Sequence, residues 1–567
     1  MAPMKADEGS VPVIDLFAGP GGLGEGFSSV EDSTGDCFYR LALSIEKDDF
    51  AVRTLRLRSF FRSFDHPPSA YYDFLKVPPK FQLAAMAQLF KAYPEAARKS
   101  ESEVMQATLG RTRWRTVFGA IDSALAGLKP QAPWVLIGGP PCQAYSMVGR
   151  ARMTGKKETR ERARLHRLYR HYLQILDRYK PPVFVMENVK GLLSAKVDGQ
   201  PIFQRILKHL EGPHPSGVTY EAVPLVVSQR ETWKSQMDLW DSSPEERVRD
   251  HRSFLIRAED FGIPQARHRV IVLGIEQGLF ERVRENLPGL IESVESRIGV
   301  SRVISDLPRL RSGLSKASDS DETWRATIGK VRHASWLSWL RRHDESELAD
   351  RIIATVDAIL EETPRLNRGS NFINRLCVPD YRPDWFSDSR LPGTINHESR
   401  SHIESDLSRY LFAACYAQLK RRSAKLQDFP TDLLPEHANL STALESGLFN
   451  DRFRVQIERD GEGRDVPGRT VTSHISRDGH SFIHFDPTQS RSLTVREGAR
   501  IQTFPDNYAF LGPRTEQYRQ VGNAVPPLLA CQIAETVAKI VHPGSRLRSK
   551  GTGKTASARE AVLSSAS

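Results

Sequence analysis

Five short β-rich runs, residues 11–17, 41–46, 134–137, 183–186 and 270–273, constrain this chain most; each is bounded by glycine, proline or charge. Helical stretches separate them. Strands alternating with helices argue an α/β fold, a doubly wound Rossmann-like sheet whose strands run parallel. Residues 53–119 read as a charged helical elaboration between core strands. After Gly274 the alternation fades, and Pro and Ser punctuate irregular stretches up to about Asp486, which reads as a separate module. Strand, helix and turn signals return at 487. The segment 543–567 is rich in Ser, Gly, Arg and Lys and reads as a disordered basic tail. A length of 567 residues fits two or three domains.

No apolar run approaches the ~20 residues of a membrane helix, and the polar start, residues 1–10, lacks the basic-then-apolar order of a signal peptide. A cytoplasmic monomer that avoids membranes is expected. The net charge of +11 attracts polyanions, of which nucleic acid is the commonest. The five cysteines are scattered and form no C-x-x-C pair, so neither a disulfide framework nor a metal site is expected. His397-Glu398 with His402 lacks the H-E-x-x-H spacing, and Gly553-Lys554-Thr555 lacks the strand and glycine of a phosphate loop.

Four places carry chemistry. Asp15-Leu16-Phe17-Ala18-Gly19-Pro20-Gly21-Gly22 sits where a strand turns into a helix, and Glu46 ends the next strand. Glycines there admit positive φ and close approach of a ligand, and a terminal carboxylate can accept from both ribose hydroxyls. The same glycines also serve a purely structural turn. Gly138-Gly139-Pro140-Pro141-Cys142-Gln143 follows a strand, and two prolines fix the backbone ahead of the sulfur. Cys142 is either a rigidly held nucleophile or a buried cysteine after a loop. Glu187 and Asn188 end another strand, as a pocket acid or as a helix-capping pair. Gln265, Arg267 and Arg269 precede a fifth strand, where alternation would put all three on one face; a surface salt-bridge patch reads equally well.

Taken together and in this order, these segments resemble the cytosine-5 DNA methyltransferase family, of the bacterial restriction-modification type. Asp15 to Gly22 matches the cofactor loop, Pro141-Cys142-Gln143 the nucleophile motif, Glu187-Asn188-Val189 the acidic motif and Gln265-Ala266-Arg267-His268-Arg269 the paired-arginine motif. Arg491-Ser492-Leu493-Thr494-Val495-Arg496-Glu497, continuing to Gln502-Thr503-Phe504-Pro505, and Gln520-Val521-Gly522-Asn523-Ala524-Val525-Pro526-Pro527 match the last two. The likeness spans roughly residues 11–540. The longer stretch between Glu46 and Cys142 departs from it, as does the unclear acid for the adenine amino group, for which Asp122 is the candidate and Ala120 the alternative.

The resemblance implies transfer of a methyl group from S-adenosyl-L-methionine to carbon 5 of a cytosine flipped out of double-stranded DNA. Cys142 would add to carbon 6, activating carbon 5. Glu187, carrying a proton, would donate to ring nitrogen 3, and Arg269, helped by Arg267, would bind the ring carbonyl. Asp15, Phe17, Ala18, Gly19, Gly21, Gly22, Glu46, Asp122, Pro140, Asn523 and Ala524 would surround the cofactor. Gln143, Ser146, Arg150 and Gln265 would face DNA, with the basic stretch 150–167 closing on its backbone. The implied division is a catalytic domain over 1–274, a smaller target-recognition domain over 275–486, and a return segment over 487–542. A restriction endonuclease acting on the same site is an implied counterpart. Three other readings are an RNA cytosine methyltransferase, a catalytically silent DNA-binding homologue and a nicotinamide-dependent oxidoreductase. The Pro-Gly-Gly turn and the later motifs speak against the last.

Overall fold

The computed structural model describes residues 9–129, 132–140, 168–197, 199–212, 217–226, 251–287, 291–435, 445 and 450–548. Eight strands form the central sheet: β1 (Val11–Leu16), β2 (Tyr39–Glu46), β3 (Val104–Gln106), β4 (Val135–Gly138), β5 (Val183–Val189), β6 (Tyr220–Val223), β7 (Leu255–Arg257) and β8 (His268–Glu276). Their order is β7-β8-β5-β4-β1-β2-β3, with β6 also paired to β8. The five strands from β5 to β3 are parallel. β8 runs antiparallel to β5, β6 and β7. The sheet is therefore mixed, not all parallel as the alternation suggested: three late strands meet by antiparallel pairing.

Side-chain alternation divides the core in two. Val135 and Ile137 of β4, Val183 and Val185 of β5, and Ile271, Leu273 and Ile275 of β8 enter one hydrophobic cluster. Leu136, Phe184, Met186, Val270 and Val272 enter the other. Runs that are apolar at every position belong to strands covered on both faces. The first face is covered by α1 (Gly22–Ser28) and by the C-terminal helix Pro527–Val541. The second is covered by the helices Trp114–Ala124, Leu168–Tyr179 and Ile202–Glu211. Strand order reverses between β1 and β4, which opens a crevice at their carboxyl ends.

Three expectations change. The stretch 53–119 contains β3, a core strand, besides α2 (Asp49–Arg62) and the helices Ser69–Leu75, Gln82–Ala92 and Pro94–Glu103. β3 has only three residues and hides in charged helical sequence. The region after Gly274 is more regular than it reads: Asp321–Gly329, Ser335–Arg342, Ser346–Glu361 and Glu404–Lys420 are helices whose apolar faces pack together. In the tail, Leu547 and Arg548 pair with Asp32 and Glu31; residues 549–567 lie outside the described residues.

Among the described residues, Arg514–Val541 contains an 18-residue window apolar enough to cross a membrane by composition; that window is 78% buried, and the stretch is broken into two helices at Ala524–Pro526, which makes it core.

Candidate active site at the carboxyl edge of the sheet

The turn after β1 is wound left-handed at Phe17 (φ 57°) and at Gly19 (φ 58°). A phenylalanine held there is uncommon and marks a backbone fixed by its surroundings. The surroundings are visible. Ala18 N donates to Ile45 O at 3.1 Å, and Gly19 N donates to Glu46 Oε2 at 2.9 Å. Glu46 Oε1 accepts from Asp48 N at 2.9 Å. The carboxylate thus ties the turn to the end of β2, and each oxygen keeps a lone pair for a further donor. Asp15 lies fully buried beneath. Burial, and then the charge of Glu46, raise its carboxyl well above the usual carboxylate range.

One side of the turn is packed and the other is open. A Cβ on Gly22 would stand 2.1 Å from Val525 O, so the turn lies directly on the segment that follows Asn523 and Ala524. A Cβ on Gly19 would meet nothing within 4 Å. A cradle tight below and open above, beside Glu46, fits a nucleoside-bearing cofactor. Gly22→Ala is expected to push the C-terminal segment away, costing ~1–3 kcal/mol and weakening S-adenosylhomocysteine binding; calorimetric titration and thermal melts check both. Asn523 is exposed at the end of its helix, and Ala524 is buried, with its carbonyl accepting from Gln502 Nε2 at 3.3 Å.

Sequence reading missed the brace beneath this turn. The Tyr508 hydroxyl donates to Pro20 O. Arg58 of α2 donates to Glu25 Oε2 of α1 and to Asn507 Oδ1, both at 2.9 Å, and lies over the Tyr508 ring. The helical elaboration and the return segment therefore hold the cofactor turn jointly. Tyr508 lies four residues past Phe504, within reach of the matched motif; Arg58 carried no local signal.

Asp122 does not belong to this cradle. It sits in the last turn of Trp114–Ala124, which runs from the end of β3 toward the start of β4, so it lies at the opposite edge of the sheet. It accepts from the Tyr179 hydroxyl at 2.8 Å. Ala120 is on the same helix. The site edge of β3 carries Gln106, Ala107 and Thr108 instead, with Ala107 N bonded to Glu46 O at 2.9 Å.

At the next strand end, Glu187 and Arg269 share a face of the β5–β8 pair, because Arg269 lies opposite Val189 and Glu187 is two residues away. Arg269 Nε stands 2.8 Å from Glu187 Oε1, with the two side chains 14% and 12% exposed. This pair meets the strand carrying the P-P-C-Q sequence. A Cβ on Gly139 would stand 2.9 Å from Glu187 Oε2, and Asn188 Nδ2 donates to the carbonyl of buried Pro140 at 3.3 Å. Cys142, Gln143, Ser146 and Arg150 lie outside the described residues, as does the basic stretch up to 167.

Gln265, Arg267 and Arg269 do not share a face. Arg267 N bonds back to Gln265 O at 2.9 Å, a tight turn that breaks the alternation between residues 265–266 and β8. Gln265 is wholly buried rather than DNA-facing. Its amide nitrogen donates to Gln502 Oε1 at 2.9 Å, and its oxygen accepts from Val471 N at 2.6 Å. Arg267 is also buried, donating to Val471 O at 2.9 Å. Both tie this end of the sheet to Val471, Gln265 also reaches Gln502 of the return segment, and Arg269 is the one placed on Glu187.

His397 is no metal ligand. It is buried between Thr494 Oγ1 (2.9 Å) and Pro308 O (2.8 Å), and burial pulls its pKa down to about 4. No cluster able to hold a metal ion occurs among the described residues. Cys377, Cys415 and Cys531 are buried and Cys37 is half-buried, all as free thiols.

Comparison with known proteins agrees with this geometry. The family model of C-5 cytosine-specific DNA methylases matches residues 105–214 and 251–539. The chain is 32% identical over 547 residues to the type II methyltransferase M.Bpa9945I of Bacillus paralicheniformis, covering 94% of this chain and 99% of that one. It is 27% identical to the type II methyltransferase M.AgeI of Thalassovita gelatinovora, covering 72% and 84%. It is 25% identical to the DNA (cytosine-5-)-methyltransferase M.ApeKI of Aeropyrum pernix, covering 72% and 81%.

Proposed function

The chain belongs to the C-5 cytosine-specific DNA methylase family and is a DNA (cytosine-5)-methyltransferase, and from that premise we propose that S-adenosylmethionine is its methyl donor and how its own residues divide the work. The Glu187–Arg269 pair against Gly139, with Asn188 on the carbonyl of Pro140, three and two residues before Cys142, carries the proposal. Cys142 adds as a thiolate to carbon 6 of a flipped cytosine and departs when the carbon 5 proton is lost. Glu187 holds a proton at ring nitrogen 3. Arg269 faces the ring carbonyl and steadies the charge that builds there. Asp15, Phe17, Ala18, Gly19, Gly21, Gly22, Glu46, Pro140, Asn523 and Ala524 form the cofactor's surroundings, with Glu46 accepting from the ribose. When bound, S-adenosylmethionine supplies the electrophilic methyl group.

Gln143, Ser146 and Arg150 follow the nucleophile and serve the flipped nucleotide and its phosphate. Residues 275–486 recognise the target sequence and 487–542 complete the catalytic domain. The enzyme acts as a monomer, opposite an endonuclease of the same specificity; the type II names of its relatives support the restriction-modification setting alone.

A duplex pool containing 5-fluorocytosine tests the chemistry, since fluorine cannot leave as a proton does. With S-adenosylmethionine present, a covalent adduct is expected that disappears in Cys142→Ala. An adduct that persists in Cys142→Ala, or none while cofactor binding is intact, would overturn the role of Cys142. Sequencing the trapped DNA gives the recognised site.

A further inference from the structure

Residues 451–456 read Asp-Arg-Phe-Arg-Val-Gln. Phe453 and Val455 are each 1% exposed in the core, so alternation puts Arg452 and Arg454 on the other face. The segment is held extended from both sides. Arg454 N donates to His480 O at 2.8 Å and its carbonyl accepts from Ile483 N at 2.9 Å, while Gln456 Oε1 accepts from Arg469 N at 2.9 Å. Arg469 is in turn paired in parallel register with Ala266, within the motif that carries Arg269. Arg469 and Arg454 thus lie within charge range of each other beside the motif that carries Arg269, with Arg452 two residues before Arg454.

Their charge balance is unusual for this protein. Nearby buried arginines have carboxylates: Arg491 with Glu497, Arg500 with Asp506, Arg409 with Asp406, Arg311 with Asp319. Arg454 has Asp451. Arg469, half-buried, has no side-chain partner among the described residues, and Arg452 Nε is buried without an acceptor. Burial, and then the charge of Arg454, pull the Arg469 pKa down, with Asp451 offsetting part. An unpaired guanidinium taken partly out of water is costly, and the cost is recovered when a ligand supplies the anion. A base edge offers acceptors but no net charge; a phosphate offers both.

We propose that Arg469, flanked by Arg452 and Arg454, is a DNA phosphate-binding site that sets the register of the duplex against the catalytic strand. The inference rests on the reading of the chain as a DNA methyltransferase. Equilibrium binding of the full chain to a mixed-sequence duplex, followed from about 50 to 200 mM salt, tests it without knowing the recognised site. Arg469→Gln is expected to weaken binding several-fold at low salt and to reduce the slope of log K against log salt by about 1. Arg469→Lys should restore the slope, since a point charge suffices for phosphate. Unchanged S-adenosylhomocysteine binding identifies the variant as folded, and Arg452→Gln gives a second reading of the same slope. A wild-type slope and affinity in both Gln variants would overturn the site. So would an unchanged slope with relaxed preference at one base pair in the trapped DNA, which is the signature of a base reader. The salt-dependent binding measurements, unlike the trapping, run equally well with Cys142→Ala in the background. Loss of the phosphate contact is thereby distinguished from failure of the covalent chemistry, and a wild-type chain that binds no duplex would instead remove the premise.

Discussion

Glu187→Gln is expected to lower the methylation rate ~10²–10⁴-fold, the usual contribution of a positioned proton donor. Glutamine keeps the length and most of the shape of the side chain at the end of β5. It can still accept from Arg269 and still lie against Gly139. What it cannot do is give up a proton to a ring nitrogen. Binding of S-adenosylhomocysteine and of duplex should therefore be retained, because the turn at Gly19 and Glu46 is held by bonds that do not involve Glu187. Single-turnover kinetics separates the outcomes. A rate within a few-fold of wild type would remove Glu187 as the proton donor; loss of cofactor binding in parallel would make it a structural residue.

Arg500→Met is expected to cost ~3–5 kcal/mol of stability, the range for breaking a buried ion pair from one side. Arg500 is fully buried. Its Nε and Nη2 grip Asp506 at 2.9 and 2.8 Å, and its Nη1 reaches Asp306 at 2.6 Å and Val303 O at 3.0 Å. Methionine fills much of the space but takes its arginine from part-buried Asp306 and leaves buried Asp506 only the more distant Arg496, at 3.9 Å. Urea unfolding should show a lower midpoint, and adding Asp306→Asn should recover part of the loss, giving a coupling energy by double-mutant cycle. Arg500 lies away from Glu187 and Arg269, so the folded fraction should keep its cofactor affinity. A midpoint that does not move would mean the three-way ion cluster contributes nothing net.

The strands that were legible were those covered on both faces, because burial on both sides demands unbroken apolar sequence. β4 satisfies this, as do residues 183–186 of β5 and 270–273 of β8, while β1 breaks at Asp15 and β2 carries Arg40 and Ser44 in otherwise apolar runs. β3 and β7, of three residues each, have no period to read, and β6, as short as β4, is interrupted by Glu221, so none of them was legible. The helices between residues 321 and 420 were obscured by interspersed charge. Much of it makes surface ion pairs, such as Arg332 with Asp357 and Lys330 with Glu404, while the apolar stripe packs inward.

At the site, residue types and order led to the turn after β1, to Glu187 and to Arg269; the turn follows a parallel strand, Glu187 lies near the carboxyl end of β5, and Arg269 lies at the start of the antiparallel β8 beside it. The same reasoning placed Asp122 and Gln265 wrongly. Asp122 was the candidate for an acid that the resemblance implies, but a helix carried it to the far edge. Gln265 was located by alternation, but a turn at Arg267 broke the alternation and buried its amide.

What the sequence by itself determined is the chemistry available: a glycine turn after a strand, a proline-fixed cysteine, an acid and an arginine at neighbouring strand ends. Local geometry dictates these, since strand ends and turns depend on residues close in sequence. What only the tertiary structure decided is which polar groups face the crevice and which brace it. Tyr508 reaches Pro20 across 488 positions, and Gln265 reaches Val471 across 206. Bonds between residues that far apart leave no periodicity in the chain, because they exist only once packing has brought the segments together.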